Sequence, residues 1–135
     1  MTFALGPQSR ARLPRTARLL RRADFERVYR AGKKHFSGSL TVFFLPRLSP
    51  EGGPRVGLTV GRALGGAVAR NRIRRRLREA VRLRRGELPA SVDLVLHPRK
   101  SVLEAEFTQL CSEVGGAFAA IAAKLEAEKA RAGGK

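Results

Sequence analysis

The stretch GGAVARNRIRRRLREAVRLRRG, residues 65–86, decides how this chain folds. At about 100° per residue, Ile73, Leu77, Ala80 and Val81 form one apolar stripe that must face a core. Asn71, Arg74, Arg75, Arg78, Arg82 and Arg85 fall on the opposite face, with Arg72 at its border and Arg70 beside the stripe. The spacing predicts a helix over 67–85, closed by Gly86 and followed by Pro89. Its charged face makes a basic rail roughly 21 Å long. Residues 70–85 hold nine arginines and one acid, Glu79, so the helix repels itself unless an anion lies along it. Charged helix faces are ordinarily solvated and of mixed sign. Nine to one is not mixed, and the rail reads as a polyanion-binding surface. The other reading of a basic amphipathic helix, attachment to a membrane surface, fits less well. This stripe is narrow, aliphatic, without Trp or Phe, and needed for the core.

Outward from the helix, Arg55 to Gly61 alternates with Val56, Leu58 and Val60 on one face, and Ser91 to His97 is rich in β-branched and aliphatic residues. Both are predicted strands, as is Leu40 to Leu45, which ends at Pro46. Lys33 to Ser37 is a shorter candidate. Phe25, Val28 and Tyr29 at i, i+3, i+4 predict a helix over 23–31, stopped by Gly32. Ser101-Val102-Leu103-Glu104 has capping-box spacing, which places the start of a last helix near Ser101. Its stripe is Leu103, Phe107, Leu110, Val114, Phe118, Ile121 and Leu125, with a break or a close helix–sheet contact expected at Gly115-Gly116. The order α-β-β-β-α-β-α is an α+β sandwich, helices packed on a small sheet. Residues 1–17 read as a loose basic arm, 18–122 as the domain and 123–135 as a frayed tail.

Charge narrows the function. The 135 residues carry 28 basic and 11 acidic side chains. Residues 1–100 hold 24 of the basic and 6 of the acidic ones, so the whole excess lies there. Of the 28 cations 22 are arginine, whose fork suits phosphate and whose plane stacks on bases. A GC-rich genome also favours Arg codons, which bears on Arg over Lys but not on the net charge. One cysteine, Cys111, excludes an internal disulfide framework or a Cys-rich zinc site, and His35 and His97 suggest no metal centre. No apolar run is long enough to span a membrane, and Met1 to Pro7 does not read as a signal peptide. The expectation is a cytoplasmic binder of polyanions. No carboxylate cluster or nucleophile–base pair stands out, so a protein-only nuclease is disfavoured.

Phe25 and Tyr29 lie one turn apart, and Phe43 shares a strand face with Thr41. If helix and strand face each other, these rings could line a groove for single-stranded nucleic acid, since stacking tolerates any base. Burial of all three in the core is the alternative, and the pattern alone favours it.

Ala67-Val68-Ala69-Arg70-Asn71-Arg72-Ile73-Arg74-Arg75-Arg76-Leu77-Arg78-Glu79 resembles the motif of the protein subunit of bacterial ribonuclease P. The resemblance extends through Arg18-Leu19, Asp24-Phe25, Val28-Tyr29, Gly32, Arg55 to Val60, Asp93 to Leu96 and Arg99, and covers roughly residues 18–122. Gly61 to Gly66 departs from it, where the family usually has two lysines and then Gly-Asn. The resemblance implies a left-handed β-α-β crossover through the arginine helix, against the usual hand. It implies one protein bound to one catalytic RNA, with no membrane association, in an endonuclease that matures the 5′ end of precursor tRNA. The RNA, with its Mg²⁺, would do the chemistry, and the protein would supply no catalytic residue and no metal ligand. Catalytic-RNA contacts would come from Arg62, Arg70, Asn71, Arg72, Arg74, Arg75, Arg78 and Arg82. Arg18, Phe25, Tyr29, Thr41 and Phe43 would hold the single-stranded 5′ leader. A structural RNA-binding protein, such as a ribosomal protein of similar fold, is the other class that the charge pattern allows.

Overall fold

Alternating and helical apolar periods become layers in the computed structural model, which describes residues 17–19, 21–47 and 53–133. In chain order the elements are α1 (Arg22–Ala31), β1 (Lys33–Phe36), β2 (Leu40–Pro46), β3 (Arg55–Leu58), α2 (Ala67–Arg84), β4 (Val92–Pro98) and α3 (Phe107–Gly133). Short 3₁₀ turns occupy Arg62–Leu64, Arg85–Glu87 and Lys100–Leu103. The strands lie side by side as β1-β2-β4-β3. β1–β2 and β2–β4 pair antiparallel, while β3 pairs parallel with β4, Val56 opposite Leu94. Parallel neighbours need a long crossover, and α2 supplies it.

A strand sends successive side chains to opposite faces. Leu40, Val42 and Phe44 of β2 and Val92, Leu94 and Leu96 of β4 therefore share one face and are buried. There they meet Ile73, Leu77, Ala80 and Val81 of α2 and Leu110, Val114, Phe118 and Ile121 of α3, all buried as the apolar periods predict. The opposite face carries Thr41, Phe43 and Leu45, and Asp93, Val95 and His97. Among the described residues it is covered by α1 and by Leu19 just before it, through a small cluster of Val28, Leu19 and Val95. α1 has only ten residues, about 15 Å of helix, and part of this face stays open beside it.

Five expectations require correction. α3 does not start at Ser101: Val102 is buried, and the chain must first turn at Lys100–Leu103 to place it. The Ser101 carbonyl, rather than its hydroxyl, accepts there, from the amides of Glu104 at 3.1 Å and Ala105 at 3.0 Å. Gly115-Gly116 neither breaks α3 nor meets the sheet. A Cβ on Gly115 would sit 3.1 Å from Cδ of Arg84, so this glycine lets α2 and α3 approach closely. Residues 123–133 are helical rather than frayed. Leu125 packs on the core, the Lys124 ammonium stands 6.0 Å from the Phe44 ring centroid, and Glu128 pairs with Lys33. Ala17, assigned to the basic arm, is buried in the core; residues 1–16 lie outside the described residues. β3 is also shorter than its pattern, although the Thr59 amide still donates to the Leu96 carbonyl at 3.0 Å.

Among the described residues one charged side chain sits fully inside. Asp93 on β4 is 0% exposed and accepts from Arg27 of α1 (2.6 Å), Arg47 just after β2 (2.7 Å) and Arg55 of β3 (2.8 Å). Burial alone would raise its pKa, but hydrogen bonds from Arg55 and Arg47 and their charge outweigh that and hold it below the usual carboxylate range. The stability it contributes is complete above the unfolded-state pKa of about 3.9 and is lost as pH falls through the lower folded value. Asp93→Asn should therefore destabilise the protein by about 3 kcal/mol, because it removes the buried anion on which three partly buried arginines converge. Urea unfolding at neutral pH measures the loss, and an unchanged midpoint would show that the cluster contributes nothing.

Candidate nucleic-acid interface

The arginines of α2 point in different directions because the helix packs on two sides. Arg76 donates to the Ala105 carbonyl, and its Nε is buried without a partner. Arg84 lies across Gly115 and pairs with Glu87 at 3.1 Å, and Arg85 donates to the Pro54 carbonyl at 3.2 Å. Arg82 is held by Glu79 and its side chain is only 14% exposed, so it presents little charge to a ligand. Arg70 turns back to donate to the Gly65 carbonyl at 3.2 Å. Gly65 has φ +128, open to glycine and strained for other residues, so this bond braces the turn that starts the helix. What remains open to solvent is Arg72, Arg75 and Arg78, with Arg74 half-buried and held by Asn71 Oδ1 at 2.9 Å. Arg62 is exposed on the preceding 3₁₀ turn. Among the described residues none of Arg62, Arg72, Arg74, Arg75 or Arg78 has an acidic partner. Arg78 is pushed below the usual arginine value, by burial first and then by Arg18 and Arg74.

The aromatic residues form a second surface beside α1. Phe25, Tyr29 and Phe43 are each half-buried, neither core nor free. Tyr29 and Phe43 meet edge to face with centroids 5.1 Å apart, the arrangement that aromatic quadrupoles favour. Phe25 lies one turn earlier over β3, where a Cβ on Gly57 would come within 2.5 Å of its ring. Thr41 sits opposite His97 in the β2–β4 register and accepts from Arg99 at 3.1 Å. Arg18 is at the far end, bridged to Val56 at the outer edge of β3.

Sequence reasoning missed several members of this surface. His97 lies 5.2 Å from Tyr29 and 5.0 Å from Phe43 by ring centroid, and its Nε2 is 2.7 Å from the Tyr29 hydroxyl. Thr59 Oγ1 meets the same hydroxyl at 2.5 Å. The Lys34 ammonium stands 5.4 Å from the Phe43 centroid, a cation–π contact. Alternation along β4 puts residues 93, 95 and 97 on one face, but only the β2–β4 pairing shows that this is the face of Phe43. Among the described residues no group of three or more His, Cys, Asp or Glu side chains could hold a metal ion. No helix there is long and apolar enough to cross a membrane.

A small basic α+β protein, with an arginine helix crossing between two parallel strands and a half-open aromatic face behind them, is the class that these features define. Residues 13–122 match the ribonuclease P family, and the chain belongs to it. It is 36% identical over 104 residues to the ribonuclease P protein component of Desulfovibrio desulfuricans, covering 76% of this chain and 80% of that one. Its fold matches the RNase P protein from Thermotoga maritima with a TM-score of 0.68 at 28% identity, covering 76% of this chain and 94% of that one. The Staphylococcus aureus RNase P protein shares the fold at a TM-score of 0.60 and 23% identity, over 75% of this chain and 91% of the other.

Burial lowers the pKa of His97 below the usual value of about 6.5. The unfolded chain then takes the proton first, so this stability is complete above about pH 6.5 and declines as pH falls toward the folded value. His35 is lowered too, by burial and then by Lys124. His97→Gln should accordingly flatten the loss of stability between about pH 7 and pH 5 without abolishing it. Unfolding midpoints across that range measure the slope, and an unaltered slope would mean that His97 ionises as freely in the fold as outside it.

Proposed function

We propose that this chain is the protein component of a ribonuclease P ribonucleoprotein and promotes 5′-end maturation of precursor tRNA through two separate surfaces. The exposed side of α2, with Arg62, Asn71, Arg72, Arg75 and the outer edge of Arg74 and Arg78, docks on the catalytic RNA. Arg70 acts by bracing the turn that presents them, and Arg82 is a minor contributor because Glu79 occupies its fork. The groove of Phe25, Tyr29, Thr41 and Phe43, with His97 as its fourth ring, takes the single-stranded leader. The observation that carries this reading is the half-burial of the three predicted rings: core residues would be sealed, while a stacking platform must be anchored on one side and open on the other.

The chemistry belongs to the RNA and its bound Mg²⁺ in this reading. The two aspartates nearest the groove, Asp24 and Asp93, already face arginines and are poorly suited to hold a cation. The protein's part is position and charge, as one subunit on one RNA. Added to a bacterial ribonuclease P RNA at low Mg²⁺, it should restore precursor cleavage. No stimulation would point instead to a structural RNA-binding role.

Phe43→Ala or Tyr29→Ala should weaken binding of precursor tRNA by about 1–3 kcal/mol, one stacked base, and leave mature tRNA affinity unchanged. A parallel loss for both ligands, accompanied by a lower Tm, would return the rings to a purely structural role. Replacing Arg62, Arg72 and Arg75 together by Ala should flatten the log–log salt slope of catalytic-RNA assembly by about 2. An unaltered slope would exclude the outer face of α2 as the docking surface.

A further inference from the structure

Half of the hydrogen-bonding capacity of the His97 ring is left unused by the fold. Its Nε2 lies 2.7 Å from the Tyr29 hydroxyl, and Thr59 Oγ1 meets the same hydroxyl at 2.5 Å. Nδ1 has no partner among the described residues and is not sealed from solvent. Strand pairing accounts for the opening. Phe36, Thr41 and His97 stand opposite one another on β1, β2 and β4 and form a row on the face that carries α1. Phe36 at the outer end of that row is 67% exposed, so the helix does not cover it. The hydroxyls of Thr59 and Tyr29 and a neutral imidazole can each donate or accept. In one arrangement Thr59 donates to Tyr29 and Tyr29 to Nε2, which leaves the ring proton on Nδ1. In the other, Nε2 donates to Tyr29 and Tyr29 to Thr59, and Nδ1 is a bare acceptor. Burial keeps His97 below its ordinary pKa, so at neutral pH the ring is uncharged and both arrangements are open to it. An uncharged ring suits the edge of a base better than a phosphate. Cations for the RNA backbone stand nearby, Lys34 over Phe43 and Arg99 on the Thr41 hydroxyl.

We propose that His97 is a specificity-determining residue that hydrogen-bonds one leader base through Nδ1, with Tyr29 and Thr59 as positioning residues that set whether this nitrogen donates or accepts. This assignment rests on the leader reading of the aromatic groove. The base is the one that rests on Phe43, whose ring centroid is 5.0 Å from that of His97. Stacking alone tolerates any base and reads none. An edge contact adds discrimination, and a hydrogen-bond chain that can reverse keeps it mild, since Nδ1 can meet a donor or an acceptor on the base.

The test is made on the holoenzyme reconstituted with a bacterial ribonuclease P RNA, by measuring its affinity for precursor and for mature tRNA. His97→Phe keeps a ring against Tyr29 and Phe43 and should weaken precursor binding about fivefold, the scale of one net hydrogen bond, with mature tRNA unchanged. His97→Asn carries its amide atoms one bond from Cγ, as Nδ1 is, and should recover most of that loss. His97→Gln places them nearer Nε2 and should not. Leader bases are then replaced one at a time by an abasic nucleotide. At one position the abasic precursor should bind the wild-type and His97→Phe holoenzymes equally, which marks the contacted base. A loss that persists at every abasic position, or that vanishes when a 2′-hydroxyl is removed instead, overturns the proposal. Thr59→Val denies Tyr29 its second acceptor and leaves Nδ1 a donor, so it should reorder the affinities of the four bases at that position. An unchanged order overturns the part assigned to Thr59 and Tyr29. Phe43→Ala separates this proposal from the reading beneath it. If it weakens precursor selectively while His97→Phe does not, His97 reads no base and the groove stands. If neither variant acts, the leader reading of the groove fails as well. If only His97→Phe acts, stacking on Phe43 fails and the abasic series still decides His97.

Discussion

The carboxylate of Asp93 is the constraint around which this protein is arranged. It is buried on the central strand, and arginines from α1, the end of β2 and β3 converge on it. A buried charge is tolerable only when its partners satisfy it in good geometry. That requirement fixes the height and angle of α1 over the sheet. Asp24 on α1 reinforces the tie through Arg27 at 3.3 Å and more distantly Arg55 at 3.9 Å. Arg47 adds bonds to the carbonyls of Val92, Gly53 and Ala90, so the ends of neighbouring segments are gathered at the same point. With one end of α1 anchored there, the half-open face beside Tyr29 and Phe43 becomes a groove of defined width.

The same residue type performs two opposite tasks. Arginines that meet a carboxylate or a buried carbonyl, such as Arg27, Arg47, Arg55, Arg76 and Arg82, hold the fold together. Those that meet neither acid nor carbonyl, such as Arg62, Arg72 and Arg75, keep their full charge at the surface. Of the described acids in the first hundred residues, Asp24, Glu79, Glu87 and Asp93 each pair with a partly buried arginine, while Glu26 pairs with Arg22 at the exposed surface. The rail is accordingly shorter than its sequence. Its C-terminal arginines are turned inward by Glu79, Glu87 and the Pro54 carbonyl.

The turn before α2 shows how a departure in sequence can be absorbed. Gly61 to Gly66 lacks the lysines and asparagine of the family pattern, yet the chain still enters the helix through a short 3₁₀ turn and a glycine at positive φ. Arg70 reaches back to the Gly65 carbonyl, so a motif arginine is spent on backbone geometry. Arg62 keeps an exposed cation on the 3₁₀ turn before the helix.

Periodicity by itself determined the element order, the buried stripes of α2 and α3 and the strand faces, because each depends on residues a few positions apart. The Ala67 to Glu79 motif pointed to the family for the same reason: it is contiguous. Only the tertiary structure decided which strand face α1 covers, because strand pairing joins residues as distant as Thr41 and His97. It placed His97 and Thr59 against Tyr29, sorted the arginines into bound and open, and carried α3 past residue 122 through Leu125 and Glu128. Asp93 looked like one polar residue in an apolar run. Its three partners lie 66, 46 and 38 residues away, and no local pattern can bring together groups that only the folded sheet makes neighbours.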